Sequence, residues 1–212
     1  MGDLTLVCAG KPIPGTRGQI RRYCGLPWSG GEAETWAYEY FDSVPTNPWD
    51  DLPGPPDLLA AAALHPGFGR SEASYFNSGG GAEACQAWLT TLPRDTDLAD
   101  AEEPVVNQLA ELPQIATGVG LSVVSKVTHH KRPRLVPLFD RAIVDWYRPV
   151  TGLRGEAAWP ALIRALRADL AEPPNREFLA DVRAELAGEL EGPVPSDLRL
   201  VDIAIWMHGR EG

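Results

Sequence analysis

The sequence predicts an all-α protein. Apolar residues recur at spacings of three and four, which places them on one face of a helix, and few residues remain for strands. Prolines and glycines separate the periodic segments at intervals that suit short connections between helices. With 212 residues, 44% of them apolar and 23% charged, the chain has the composition of an ordinary globular protein with one sizeable core.

Capping residues and prolines set the expected helix boundaries. Asp57, Asp140 and Ser196 each precede a periodic segment and are placed to act as N-caps. Gly79 to Gly81 interrupt the chain and are expected to form a loop. The predicted helices follow Asp57 and then cover residues 82–92, 102–112, 121–130, 140–147, 156–171, 175–190 and 196–208.

The first 35 residues differ from the rest. They are rich in Gly and Pro, with one candidate strand at 4–8. We expect an irregular N-terminal extension over 1–35, followed by one helical domain over 36–212.

Composition excludes several classes of protein. No run of about 18 apolar residues is present, and the N-terminus lacks a secretion signal, so we expect a cytoplasmic protein that does not enter a membrane. Cys8, Cys24 and Cys85 are too widely spaced for a disulfide framework or a metal site and are expected to be packed thiols. The adjacent His129 and His130 point about 100° apart on a helix and suit a helix cap better than a metal. We therefore expect neither a metal nor a cofactor.

Charge is distributed unevenly along the chain. The net charge is -10, yet residues 118–150 contain 6 basic and 2 acidic residues, against 2 basic and 13 acidic in 36–117. The overall charge argues against a globally basic nucleic-acid-binding protein. The basic segment is either the solvated end of a helix or a local anion-binding region.

A glycine hairpin opens this basic segment. Gly118, Val119 and Gly120 lie between two predicted helices, where glycines allow a tight turn and expose amide N–H groups at a helix N-terminus. Such amides bind anions, and a DNA phosphate would fit. A plain turn between two helices is the alternative.

An aspartate follows the hairpin at a distinctive distance. Val136, Pro137, Leu138 and Phe139 lead directly to Asp140, 20 residues beyond Gly120. The hairpin, helix and apolar-proline-apolar-aspartate order resembles the helix-hairpin-helix DNA glycosylase superfamily. The stretch from Lys131 to Asp140 also resembles the signature of one glycosylase-like group. The resemblance to that group covers about residues 36 to 208.

The resemblance implies an active site. Gly118 and Gly120 would hold a phosphate, and Asp140 would stabilise the oxocarbenium-like transition state or orient the attacking water. Bifunctional members have a catalytic lysine where this chain has Ser122, so the resemblance implies hydrolytic base excision without a Schiff base, on a base extruded from the helix. Lys126 lies one helical turn beyond Ser122 and is placed to face the same side, though not as a nucleophile. The candidate phosphate contacts on side chains are Lys131, Arg132, Arg134 and Arg141.

The sequence also departs from the superfamily pattern. The pair Leu112 and Pro113, which usually abuts the hairpin, is separated from Gly118 by four residues, and a C-terminal four-cysteine cluster is missing. The acidic residues of 36–117 would repel DNA unless they face away from it. These departures leave alternatives to DNA glycosylase activity open.

Two alternatives follow. One is a catalytically silent glycosylase-like scaffold that serves as the partner subunit of another enzyme, in specialised metabolism or defence. Its partner surface would be the aromatic, proline-rich region 36–56, with Trp36, Tyr38 and Tyr40 exposed. The other is an enzyme acting on a small nucleotide-like, phosphorylated or sulfated metabolite, which would use the same anion-binding hairpin.

Overall fold

Helices make up almost all of the regular structure. The computed structural model describes residues 5–28, 37–45, 47, 50–65 and 67–211. Within these residues the strands are two of two residues each, Val7–Cys8 (β1) and Lys11–Pro12 (β2), which pair in an antiparallel hairpin. The predicted all-α class is confirmed. None of the helices in the described ranges is both long enough and apolar enough to cross a membrane.

The helices follow one another through short connections. Short 3₁₀ turns lie at Ala37–Glu39, Leu98–Asp100 and Gly155–Ala158. The α-helices are α1 (Thr16–Tyr23), α2 (Pro55–Ala63), α3 (Arg70–Ser78), α4 (Gly81–Leu89), α5 (Glu103–Ala110), α6 (Leu112–Ile115), α7 (Leu121–Lys131), α8 (Arg141–Thr151), α9 (Trp159–Ala171), α10 (Pro173–Glu189) and α11 (Asp197–Glu211).

The N-terminal segment belongs to the core, which corrects the expected irregular extension over its described part. Helix α1 packs on α11, and its Ile20 and Tyr23 are buried. Asn175 of α10 holds β1, since its Oδ1 accepts from the Val7 amide at 2.9 Å and its Nδ2 donates to the Val7 carbonyl at 2.7 Å. The candidate strand is confirmed at Val7–Cys8, while residues 1–4 and 29–36 lie outside the described part of the chain.

Helix α7 lies at the centre of the fold. It contacts α2, α4 and α6, and every one of its residues except Ser122 is buried. Val123, Val124 and Val127 form its apolar stripe, but its polar residues are buried as well. Each buried polar side chain of α7 therefore needs a hydrogen-bonding partner from another element.

Two of the three predicted N-caps are confirmed. Asp140 Oδ1 accepts from the Ala142 amide at 2.9 Å, and Ser196 Oγ accepts from the Arg199 amide at 3.2 Å. Asp57 is not the N-cap of its helix, because Pro55 continues the helix back to Gly54. Asp57 instead accepts from the Gly54 amide at 2.8 Å, from the third helical position.

Gly79 and Gly80 form the turn between α3 and α4, as the predicted loop requires, while Gly81 is already the first residue of α4. Gly80 adopts φ 77°, a left-handed conformation that favours glycine. At Gly81 the Tyr75 ring is so close that a Cβ would lie 2.1 Å from it. Helix α3 itself was not predicted, because only Phe76 in it is fully buried.

The cysteines are free and buried, as expected of packed thiols. Burial raises the pKa of Cys8, Cys24 and Cys85 to about 12. Their thiols are therefore protonated at neutral pH and unreactive as nucleophiles.

Candidate functional site

The glycine hairpin has a tight turn that leads into α7. Gly118 has φ 97° and Gly120 has φ 83°, both in the region that favours glycine. The Gly120 amide donates to the Ala116 carbonyl at 2.9 Å, which closes the turn. The short helix α6 contains Leu112 and Pro113, so the pair lies one helical turn before the hairpin instead of next to it.

A carboxylate of the protein itself lies at the N-terminus of α7. The Leu121 amide donates to Glu156 Oε1 at 3.0 Å. Glu156 is exposed, in the 3₁₀ turn before α9. A negative charge is stabilised at this end of a helix, where the backbone amides point outward. Glu156 therefore lies where the sequence analysis expects an anion, and an incoming phosphate would compete with it.

We expect Glu156→Gln to weaken this cap and strengthen anion binding. The amide oxygen can still accept from Leu121, but the lost charge should lower the free energy of unfolding by about 0.5–1 kcal/mol. Urea denaturation measures this loss of stability. The rise in melting temperature at increasing phosphate concentrations measures anion binding. An unchanged response to phosphate would contradict competition at this position.

Ser122, Lys126 and Asp140, the residues predicted at the active site, meet beside the hairpin. Lys126 Nζ lies 2.9 Å from Ser122 Oγ, 3.3 Å from the Ser122 carbonyl and 3.8 Å from Asp140 Oδ2. The Lys126 side chain is 2% exposed and that of Asp140 is 31% exposed. Burial lowers the pKa of the Lys126 ammonium, and the Asp140 charge acts in the opposite direction. Solvent reaches the cluster at Asp140 and at Ser122, the part-exposed residue of α7.

The segment before Asp140 is fixed to α7, which sets the position of the carboxylate. The Phe139 amide donates to Ser125 Oγ at 2.9 Å, and Val136 and Leu138 are buried. The Asp140 side chain also caps α8, so it is held from both sides. Asp145, on the next turn of α8, is exposed and contacts Arg141 and Arg148 instead. Asp140 and Asp145 therefore do not form an acid/base pair.

A buried charged network lies behind this cluster, and the sequence analysis missed it. Arg199 of α11 donates from Nε to Asp42 Oδ1 at 2.7 Å and from Nη1 to Asp202, and its Nη2 donates to the Tyr23 hydroxyl. Burial raises the pKa of Asp202 to about 6, and the charge of Asp140 adds to the effect while Arg199 opposes it. The signal was an Arg and an Asp three residues apart within the otherwise apolar run from Leu198 to Met207.

The structure corrects the expected role of Lys131 and Arg132. Both side chains are buried: Lys131 Nζ lies 2.8 Å from Asp57 Oδ2, and Arg132 Nη2 pairs with Asp51. Neither is presented to a phosphate at the surface. Arg134 is half exposed but forms two 2.6 Å hydrogen bonds with Asp97.

Arg141 is the most accessible of the predicted phosphate contacts. Its side chain is 94% exposed, at the first residue of α8 and next to Asp140.

The histidines do not cap α7 either. His129 is buried, and its Nδ1 donates to the Val136 carbonyl at 2.6 Å. His130 has Nδ1 2.7 Å from Asp57 Oδ1 and Nε2 3.1 Å from the Val44 carbonyl. Both imidazoles hold other segments against the end of α7.

The expected aromatic surface is only partly present. Tyr40 is 57% exposed, whereas Tyr38 is buried and its hydroxyl donates to the Pro193 carbonyl at 3.1 Å. Tyr38 packs inward because the 3₁₀ turn at 37–39 lies against the segment between α10 and α11. Trp36 lies outside the described residues.

These features define an all-α protein with a glycine turn before its central helix and a Ser–Lys–Asp cluster beside that turn. Residues 17–209 match a family of unknown function, DUF6308, and the chain belongs to this family. The match runs from α1 into α11, so the N-terminal helix is part of the family unit. No curated protein and no solved structure matches the chain.

Proposed function

We propose that this protein hydrolyses the N-glycosidic bond of a base in DNA, with Asp140 as the carboxylate beside the sugar. The observation that carries the proposal is the meeting of Ser122, Lys126 and Asp140 next to the Gly118–Gly120 hairpin. The resemblance to helix-hairpin-helix glycosylases implies a carboxylate at this distance from such a hairpin. Asp140 is also open to solvent, as a residue that meets a substrate must be.

The reaction would use the Asp140 charge in the transition state. The C1′–N bond breaks, and its electron pair leaves with the base, so positive charge develops on the sugar ring. The carboxylate stabilises this charge, and water then adds to C1′ and loses its proton to solvent. Because Ser122 has no amine, we expect base release without cleavage of the strand.

Lys126 acts as a positioning residue. Its ammonium lies between the Ser122 hydroxyl and the Asp140 carboxylate, and its 2% exposure keeps it away from the sugar. Together with the Ala142 amide it fixes the orientation of the Asp140 carboxylate. A rigid carboxylate stabilises charge without first having to reorganise.

Exposed arginines beside Asp140 support contact with a phosphate backbone. Arg141 is the first residue of α8, and Arg148 lies two turns further along with its side chain 44% exposed. Both contact Asp145 loosely, at 3.5 and 3.4 Å, so each keeps donors for phosphates. The target base would have to leave the duplex to reach Asp140.

We expect Asp140→Asn to lower base release by about 100-fold or more, because it removes the charge that stabilises the transition state. Asparagine is as good an N-cap as aspartate, so α8 should remain intact. Asp145→Asn is the matched control, since it removes the same charge from the same helix. Alkaline cleavage of duplexes containing uracil, hypoxanthine, 3-methyladenine or 8-oxoguanine measures release.

Binding is measured separately, with a fluorescent duplex that contains a tetrahydrofuran abasic-site analogue. Binding that weakens with salt is expected for the wild type and for both variants. Absence of binding at low salt, or equal base release by Asp140→Asn and the wild type, would refute the proposal.

A catalytically silent partner subunit is the second candidate, and Glu156 favours it. A carboxylate already bound to the α7 amide weakens the hairpin as a phosphate site. Light scattering combined with affinity purification of the tagged protein from its own cells tests this candidate. A monomer that purifies alone would count against it.

A further inference from the structure

A cavity lies at the other end of α7 from the Ser122, Lys126 and Asp140 cluster. Its volume is about 470 Å³, which is within the range of small-molecule sites. Ser122, Lys126 and Asp140 are absent from its lining, whereas His129 and His130 are part of it. From Ser122 to His130 the helix rises about 12 Å, so the two sites are distinct.

Hydrogen bonds from buried or anchored side chains hold the cavity open. The Val44 carbonyl accepts from His130 Nε2 at 3.1 Å, and the Pro193 carbonyl accepts from the Tyr38 hydroxyl at 3.1 Å. A third hydrogen bond joins two lining residues, since the hydroxyl of Ser196 donates to the Pro133 carbonyl at 2.5 Å. A site whose walls are fixed beforehand loses little conformational entropy when a ligand enters.

Most of the lining suits the body of an apolar ligand. Rigid rings and short aliphatic groups form flat walls, which accept a planar molecule without rearrangement. The apolar lining includes Phe41, Val44, Pro133, Pro193, Val194 and Pro195.

The charged part of the lining consists of three arginines and two aspartates. Each arginine pairs with at least one aspartate, so recognition of a negative group depends on the guanidinium donors that these pairs leave unused. Arg199 is neutralised by its buried pairs with Asp42 and Asp202. The arginines that remain at the cavity rim are Arg134 and Arg183, with side chains 48% and 50% exposed.

Both rim arginines keep hydrogen-bond donors for a ligand. Arg134 uses Nε and Nη2 on Asp97, which leaves Nη1. Arg183 reaches Asp197 with Nη1 at 3.5 Å, the limit of a hydrogen bond, which leaves the rest of its guanidinium. A guanidinium presents planar pairs of donors that match a carboxylate.

We propose that this cavity binds a small organic carboxylate with a flat apolar body. The body lies between the proline and valine walls, and the carboxylate contacts Arg134 and Arg183 at the rim. This site is separate from the Asp140 cluster, and the proposal does not depend on the proposed function.

Isothermal titration with 2-naphthoate tests the proposal, and 2-naphthamide serves as a neutral ligand of the same shape. We expect naphthoate to bind at least about tenfold more tightly than naphthamide, since a charge-assisted pair is lost in the amide. Arg183→Gln should weaken naphthoate binding by a similar factor. The control is Arg176→Gln, which changes an exposed arginine of the same helix that is outside the cavity lining and should leave binding within about twofold.

Several results would overturn the proposal. Failure of both naphthoate and indole-3-acetate to bind at about 5 mM would show that the cavity does not take such acids. Equal affinity for naphthoate and naphthamide would remove the carboxylate from the recognition. Unchanged naphthoate binding in both Arg183→Gln and Arg134→Gln, with circular dichroism confirming that both variants fold, would place the ligand elsewhere.

Discussion

Replacing Arg199 by methionine should lower the free energy of unfolding by about 3–5 kcal/mol, enough to unfold many proteins of this size. The guanidinium is 4% exposed and is the partner of two buried carboxylates, Asp42 and Asp202. Methionine fills a similar volume but leaves both carboxylates without their cation, and a buried unpaired charge is costly. Urea denaturation of the two proteins at pH 7 measures the difference.

Arg176→Met provides the comparison for that experiment. Its side chain is 46% exposed and pairs with the exposed Asp100. Exposed ion pairs contribute less than about 1 kcal/mol, so this variant should unfold near the wild-type midpoint. Similar losses in the two variants would show that the Arg199 network contributes no more than a surface ion pair.

Acid should destabilise the protein through His129. Burial lowers the pKa of His129 from its ordinary value of 6.5 to about 3, and the charge of Arg199 adds to the effect. Below pH 6.5 the unfolded imidazole takes up a proton that the folded one refuses, so stability falls as the pH falls. The slope from this group approaches about 1.4 kcal/mol per pH unit, and the full loss, reached near pH 3, is about 5 kcal/mol.

The His129→Gln variant isolates this contribution. Its side-chain amide can still donate to the Val136 carbonyl, but it does not titrate. Between pH 6.5 and 4.5 the wild type should lose about 2.3 kcal/mol relative to the variant, because the slope reaches its full value only below pH 6.5. Asp202, with its pKa raised to about 6, acts in the opposite direction over part of this range, and it cancels in the difference because both proteins contain it. Parallel stability curves for the two proteins would contradict a neutral buried His129.

Local interactions explain which parts of the fold the sequence predicts. The caps at Asp140 and Ser196 were predictable because a cap bonds to amides two or three residues away. Helix α1 was not predictable from the sequence, because its inward residues Ile20 and Tyr23 are buried by packing on the distant α11. A short helix of this kind owes its stability to tertiary contacts.

The same distinction separates the predicted and the missed parts of the site. Ser122 and Lys126 are one helical turn apart, so their contact follows from helix geometry. The pairing of Arg199 with Asp42 joins residues 157 positions apart, and no local pattern announces it. Lys131 was misjudged for a similar reason, since its partner Asp57 comes from α2.

The burial of α7 also changes what a partner molecule meets at the surface. Lys126, Lys131 and Arg132 are half of the cations in the basic segment, yet their buried side chains pair with carboxylates of the protein itself. A linear count of charge therefore overstates the positive potential that reaches solvent near the hairpin. A polyanion that docks there would displace few counterions and gain little from long-range attraction, so its recognition would depend on close fit.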